Sequence, residues 1–313
     1  MNMTRIAGMV AGLFLLIASV EAKISLPSVF TDHIVLQQKS EVPVWGWAAA
    51  SATIKVVGSW APNDTATTVV RSDGSWDTTL KTTAAGGPYT LSIEGDGNCE
   101  LKDVMLGEVW LCSGQSNMEW TPMDNIDNRD EEIAAANYPN IRFFHIPKRG
   151  AATLQNNCEA AWAVCTPKVM KSTSAVAYFF GRDLQKDLNV PVGLIVSAWG
   201  GTPAEVWTSE ELVNGNPEIR NAMPAQTYPW WPVEPGVLYN QMINPVVPYS
   251  LAGAIWYQGE SNRDHAGSYG ILLKTMIESW RKSFKKEFPF YLVQIAPHTY
   301  NDKENGPALV REH

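Results

Sequence analysis

The run Val190 to Ala198 is continuously apolar apart from Gly193 and Ser197, and it is punctuated by Pro191 before and Gly200-Gly201 after. A strand with one wet face would alternate apolar and polar residues. An unbroken run of this length instead reads as a strand buried on both faces, as in a parallel sheet covered by helices. Leu251 to Tyr257 and Phe290 to Ile295 repeat the pattern. Between them, Tyr269, Leu273, Met276, Trp280 and Phe284 recur at helical spacing, which predicts an amphipathic helix over 268–286. Ser172-Thr173-Ser174 offers an N-cap for a second helix over 173–187. Strand and helix therefore alternate from about residue 104 onward, which predicts an α/β fold with a mostly parallel sheet.

Residues 23–103 read differently. Short alternating runs such as Val42-Val44-Trp45 and Thr53 to Val57 are separated by Asp73-Gly74, Gly86-Gly87-Pro88 and Gly95-Asp96-Gly97. That spacing predicts a small β-sandwich. The first 22 residues read as a signal peptide, with Arg5 ahead of the apolar stretch Ile6 to Val20 and a small-x-small site at Val20-Glu21-Ala22. Cleavage after Ala22 implies a secreted or periplasmic protein, with no stable membrane insertion afterwards. The domains expected are thus 1–22, 23–103 and 104–313.

Composition narrows the function. The net charge is −8 and no Lys/Arg block exists, so nucleic acid is not an expected partner. There are 13 Trp against 9 Phe and 10 Tyr, which suits either a Trp-rich core or sugar stacking. Four cysteines follow the leader, of which Cys158 and Cys165 form the preferred pair for a disulfide, Cys99 and Cys112 remaining. No CxxC or HExxH motif signals a metal.

The chemistry is expected where parallel strands end. Three strand ends carry Ser113-Gly114-Gln115-Ser116-Asn117-Met118, Trp199-Gly200-Gly201-Thr202 and Gln258-Gly259-Glu260-Ser261-Asn262. A serine at a strand-to-helix turn sits where a nucleophile would, with its own N–H aimed at a developing oxyanion. A second backbone N–H and a side-chain amide from the other two loops would complete a three-donor hole.

These blocks resemble the sialate O-acetylesterases, carbohydrate esterases of the SGNH-hydrolase fold. The similarity runs through Gly107 to Trp120, Gly200 to Trp207 and Trp256 to Asn262. It also takes in Leu26 to His33 and Val42 to Trp47. It implies a flavodoxin-like three-layer domain and a serine carboxylic ester hydrolase with no cofactor. Ser116 would attack an O-acetyl ester on a sialic acid or related sugar or glycan. Ser116 and Gly200 or Gly201 would supply backbone donors, with Asn262 preferred and Gln258 second as the amide. Gln115 and Asn117 would brace the turn, and Glu260 would act as an orienting acceptor. The family's base sits on an Asp-x-x-His or Asp-x-His block, and the last 60 residues contain neither. His298 and then His265 are the substitute candidates, with His145 behind them. On this reading the chain is a truncated member with weak or no activity. An acetylxylan or other polysaccharide esterase, and a non-catalytic sugar-binding relic, remain alternatives. Oligomeric state is not addressed by the sequence.

Overall fold

A computed structural model describes residues 23–223, 227–297 and 305–312. The leader 1–22, His298 and His313 lie outside the described residues. The strands are β1 (Val35–Gln37), β2 (Glu41–Trp47), β3 (Thr53–Gly58), β4 (Ala66–Val69), β5 (Ser75–Lys81), β6 (Gly86–Gly95), β7 (Gly97–Gly114), β8 (Tyr138–His145), β9 (Trp162–Cys165), β10 (Val192–Ala198), β11 (Gly253–Tyr257) and β12 (Phe290–Val293). The helices are α1 (Ser116–Glu119), α2 (Arg129–Ala135), α3 (Pro167–Met170), α4 (Ala175–Leu188), α5 (Glu210–Gly215), α6 (Pro217–Asn221), α7 (Tyr269–Phe284) and α8 (Gly306–Glu312).

The central sheet runs β9–β8–β10–β7–β11–β12. All its neighbours are parallel except β9, which is antiparallel at the edge. Every residue of β10 is buried, as its unbroken apolar run requires. The pleat sends Leu194 and Val196 to one face, into a cluster with Tyr178 and Ala177 of α4. Ile195 points to the other face, into the cluster that holds Leu272, Met276 and Trp280 of α7. Helices thus cover both faces, the three-layer arrangement of an SGNH-like α/β fold. α4 starts at an N-cap, Ser174 Oγ accepting the Ala177 N–H at 3.0 Å.

The N-terminal residues form an antiparallel sheet, β4–β3–β6–β7, faced by the two-stranded ribbon β2–β5. This sheet is continuous with the central one. The first half of β7 pairs with β6, and its second half pairs with β10 and β11. Near the change of partner, Asp103 adopts φ 54°. Its carboxylate bonds His33 Nδ1 at 2.7 Å and Arg142 at 3.1 Å, tying the turn to β8. One hydrophobic cluster runs through both parts, joining Val29, Phe30 and Ile34 to Trp162, Tyr249 and Trp280.

All four cysteines are free thiols, so the Cys158–Cys165 pairing expected from the sequence is not formed. Cys158 packs in the hydrophobic cluster on one face of the sheet and Cys165, at the end of β9, in the cluster on the other. Burial pushes the thiols up, to about 12 at Cys158 and about 11 at Cys165, which leaves them unreactive.

Candidate active site

β7 lies between β10 and β11, and the chain crosses from one side of it to the other between those two strands. Such a switch point opens a crevice at the carboxyl ends. The three Gly-rich loops emerge from these three adjacent strands, so the topology brings them together.

Hydrogen bonds stitch the loops. Gly114 has φ 141°, and a methyl group there would lie 2.2 Å from the Tyr257 carbonyl oxygen, so only glycine allows β7 and β11 to close. Immediately after it, the Gln115 N–H donates to that same carbonyl at 3.0 Å. The Gln115 side-chain oxygen accepts from the N–H groups of Gly259 at 3.2 Å and Ser261 at 3.3 Å. Ser261 Oγ in turn donates to the Gly201 carbonyl at 2.9 Å, joining the third loop to the second. Asn117 Nδ2 donates to Glu260 Oε1 at 2.6 Å. Burial raises the Glu260 carboxyl above its ordinary value, and the other carboxylate oxygen is buried without a partner.

Ser116 opens α1 and is half-buried, so its N–H is one of the helix-terminal donors that have no intrahelical acceptor. Gly200 stands beside it: a methyl group there would lie 3.2 Å from Ser116 Cβ. The Gly200 N–H donates to Glu119 Oε2 at 2.5 Å, and Lys148 holds the other oxygen of Glu119 at 2.5 Å. Glu119 closes α1, so a single helical turn carries both the serine and the carboxylate that holds the neighbouring donor.

Asn262 and Gln258 are buried and turned inward. Asn262 Oδ1 accepts from the Ala204 N–H at 2.9 Å and from Gln258 Nε2 at 2.7 Å, while its Nδ2 donates to Glu205 Oε2 at 2.8 Å. Tyr269 donates to Gln258 Oε1 at 2.9 Å. Glu205 is 1% exposed, and burial raises its carboxyl above the ordinary value. The sequence motifs do not single out this residue. Its signal is a lone acid set among Ala204, Val206 and Trp207.

His265 lies on an exposed turn beside Glu218 and Asn221 of α6, and His33 is engaged by Asp103. His145 ends β8, where it feels the charges of Glu119 and Lys148. Among the described residues, no histidine hydrogen-bonds the Ser116 hydroxyl.

An aromatic wall borders the second loop. Gly201, with φ 81°, is covered by the Trp231 indole, 2.4 Å from where a methyl would sit. Trp231 stacks obliquely on Tyr228 at 4.8 Å, and Trp230, 70% exposed, accepts on its carbonyl from the Trp199 indole N–H at 3.2 Å. Tyr228, Trp230 and Trp231 thus reach the loop that holds Gly200.

Fold and site together define an SGNH-like α/β protein with a serine at the switch point of its parallel sheet. The family model "Carbohydrate esterase, sialic acid-specific acetylesterase" matches residues 106–312, and the chain belongs to that family. Sialate O-acetylesterases are 31% identical to it, over 310 residues for the Homo sapiens protein (90% of this chain, 59% of that one) and 340 for the Mus musculus protein (91% and 63%). The chain therefore spans about three fifths of the length of these curated relatives. A solved carbohydrate acetylesterase from Xanthomonas citri superposes with a TM-score of 0.82 at 36% identity, over 92% of this chain and 65% of that one.

Proposed function

We propose that the chain is an exported carbohydrate O-acetylesterase with Ser116 as nucleophile. The observation that carries this is the packing of Gly200 against Ser116 at the first turn of α1, with the Gly200 N–H held by Glu119 of the same turn. Ser116 Oγ bonds to the acetyl carbon and its proton passes to solvent water, since no described histidine bonds that hydroxyl. The carbonyl oxygen gains the negative charge and, displacing the Glu119 carboxylate, accepts hydrogen bonds from the N–H groups of Ser116 and Gly200. The bond to the sugar oxygen then breaks, that oxygen takes the proton, and water hydrolyses the acetyl-enzyme. Asn262 and Gln258 support the hole from within, through the network to Glu205, rather than by their own amides.

Trp230 and Trp231 offer flat apolar faces to a pyranose beside the nucleophile. Assays on O-acetylated sialic acid and on acetylated xylan separate the two sugar classes. Purified protein is expected to hydrolyse 4-nitrophenyl acetate slowly, since no described histidine hydrogen-bonds the Ser116 hydroxyl, and Ser116→Ala is expected to abolish that rate. A rate unchanged by Ser116→Ala overturns the nucleophile, and a Ser116-dependent rate at ordinary enzyme levels overturns the expectation of slow turnover. The apolar leader supports export, and an intact mass of released protein that begins at Lys23 checks it. Among the described residues, no helix is long and apolar enough to cross a membrane.

A further inference from the structure

A cleft of about 530 Å³ lies far from Ser116, between the β2–β5 ribbon and the turn that follows α7. Its volume is in the range of small-ligand sites. It sits by Ser250, ahead of β11, and by Lys285 and Lys286, ahead of β12. That is the amino edge of the central sheet, and β11 alone puts about 17 Å of strand between this edge and the catalytic loops. None of Ser116, Gly200 or Glu260 lines it.

Its wall is built by strand alternation. Trp45 and Trp47 project from one face of β2, both half-buried. In the register of the ribbon, Trp45 stands opposite Asp77 and Trp47 opposite Ser75. Asp77 is ion-paired to Arg71. The facing side adds Asn156, Lys285 and Lys286, and Glu41 lies on the rim at the start of β2. Trp45 is braced edge-on by Phe30 at 4.7 Å. Indole faces beside amides, hydroxyls and a carboxylate match a sugar ring, which has apolar C–H faces and a rim of hydroxyls. With Asp77 neutralised by Arg71, the charges left on the lining are Glu41 against Lys285 and Lys286, a net positive balance that favours a sugar carrying a carboxylate.

The geometry points to a second saccharide site here, one that takes an acidic oligosaccharide at the opposite end of the sheet from Ser116. It would hold a glycan chain while another unit of the same polymer, or another glycan, is served at the catalytic loops. This inference stands apart from the esterase reading, because its readout is binding.

The test is calorimetric titration of the full chain carrying Ser116→Ala with 3′-sialyllactose and, in parallel, with lactose. The site is expected to bind the acidic sugar and to prefer it over lactose. Asn156→Trp, on an exposed loop, fills the cleft, and Trp47→Ala removes one platform. Each is expected to weaken binding at least ten-fold. In the Ser116 background without the alanine change, Asn156→Trp is expected to leave hydrolysis of 4-nitrophenyl acetate unchanged. No binding of sialyllactose up to millimolar concentration, or equal affinity with and without Asn156→Trp, overturns the site. Equal binding of lactose overturns its acidic preference.

Discussion

Glu205 shows what one residue decides. A carboxyl this deep holds its proton more tightly than an exposed one, since charge in an apolar interior loses its hydration. Its folded-state affinity for a proton exceeds that of the unfolded chain, whose value is near 4.5. The folded state therefore binds more protons between those two values, and stability falls as pH rises through that window, then levels. Every tenfold difference in proton affinity between the two states amounts to about 1.4 kcal/mol. Glu205→Gln keeps an oxygen for Asn262 Nδ2 and removes the titration. Urea midpoints measured at pH 5 and pH 8 are expected to drop less in this variant than in the parent. Equal drops would show that Glu205 does not titrate between the two states.

The same residue explains what was hidden in the motif Gln258 to Asn262. The loop's place at a strand end is local information, carried by an apolar run and a glycine. Which way its amides point is not local. Glu205, 57 positions away from Asn262, draws that amide inward. His265 stands three residues after Asn262, yet the intervening 3-10 turn carries it to the surface.

At the scale of elements, the short helix α1 and the aromatic stretch 227–236 form the mouth of the site. α1 is a single turn, with Met118 as its buried anchor. It is too short to hold itself in water, so β7 and α4 hold it. The aromatic stretch has one indole tucked on Gly201 and one facing out. Trp230→Ala removes only the outward one. It is expected to raise KM for an acetylated oligosaccharide several-fold, a stacking loss of about 1 kcal/mol. KM for 4-nitrophenyl acetate, which has no sugar, is expected to stay the same. A parallel rise for both substrates would assign Trp230 to the loop's architecture instead.

Across the whole molecule, the two parts that composition separates near residue 103 are joined by a strand and a core. β7 belongs to both sheets. Trp162 donates its indole N–H to the Val29 carbonyl at 2.8 Å, and Tyr249 donates to the Val35 carbonyl at 2.5 Å. Both bonds are buried, and the aromatic rings of Phe30, Tyr249 and Trp162 pack around them. Parts that share a packed interior lose their contacts together. Urea unfolding is therefore expected to give coincident transitions by far-ultraviolet circular dichroism and by tryptophan fluorescence. Two separated transitions would mean that the N-terminal sheet folds by itself.

The Trp-rich composition divides along the same lines. Trp76, Trp110, Trp162, Trp207, Trp256 and Trp280 are buried, and Trp60 covers Gly58 and donates to the Lys81 carbonyl. Trp45 and Trp47 are half-buried and line the cleft at the ribbon, while Trp120 and Trp230 are exposed.

By itself, the sequence determined the layered α/β class and the three loops at strand ends, including Ser116. Hydrophobic period and glycine punctuation are local, and they act on the chain wherever it folds. The tertiary structure alone decided that β7 would serve two sheets and that Cys158 and Cys165 would pack in different clusters. It also decided that Glu119 would take the Gly200 N–H and that Asn262 would turn toward Glu205. Those outcomes depend on contacts between residues far apart in the chain, set by burial and by the demand that buried polar groups find partners.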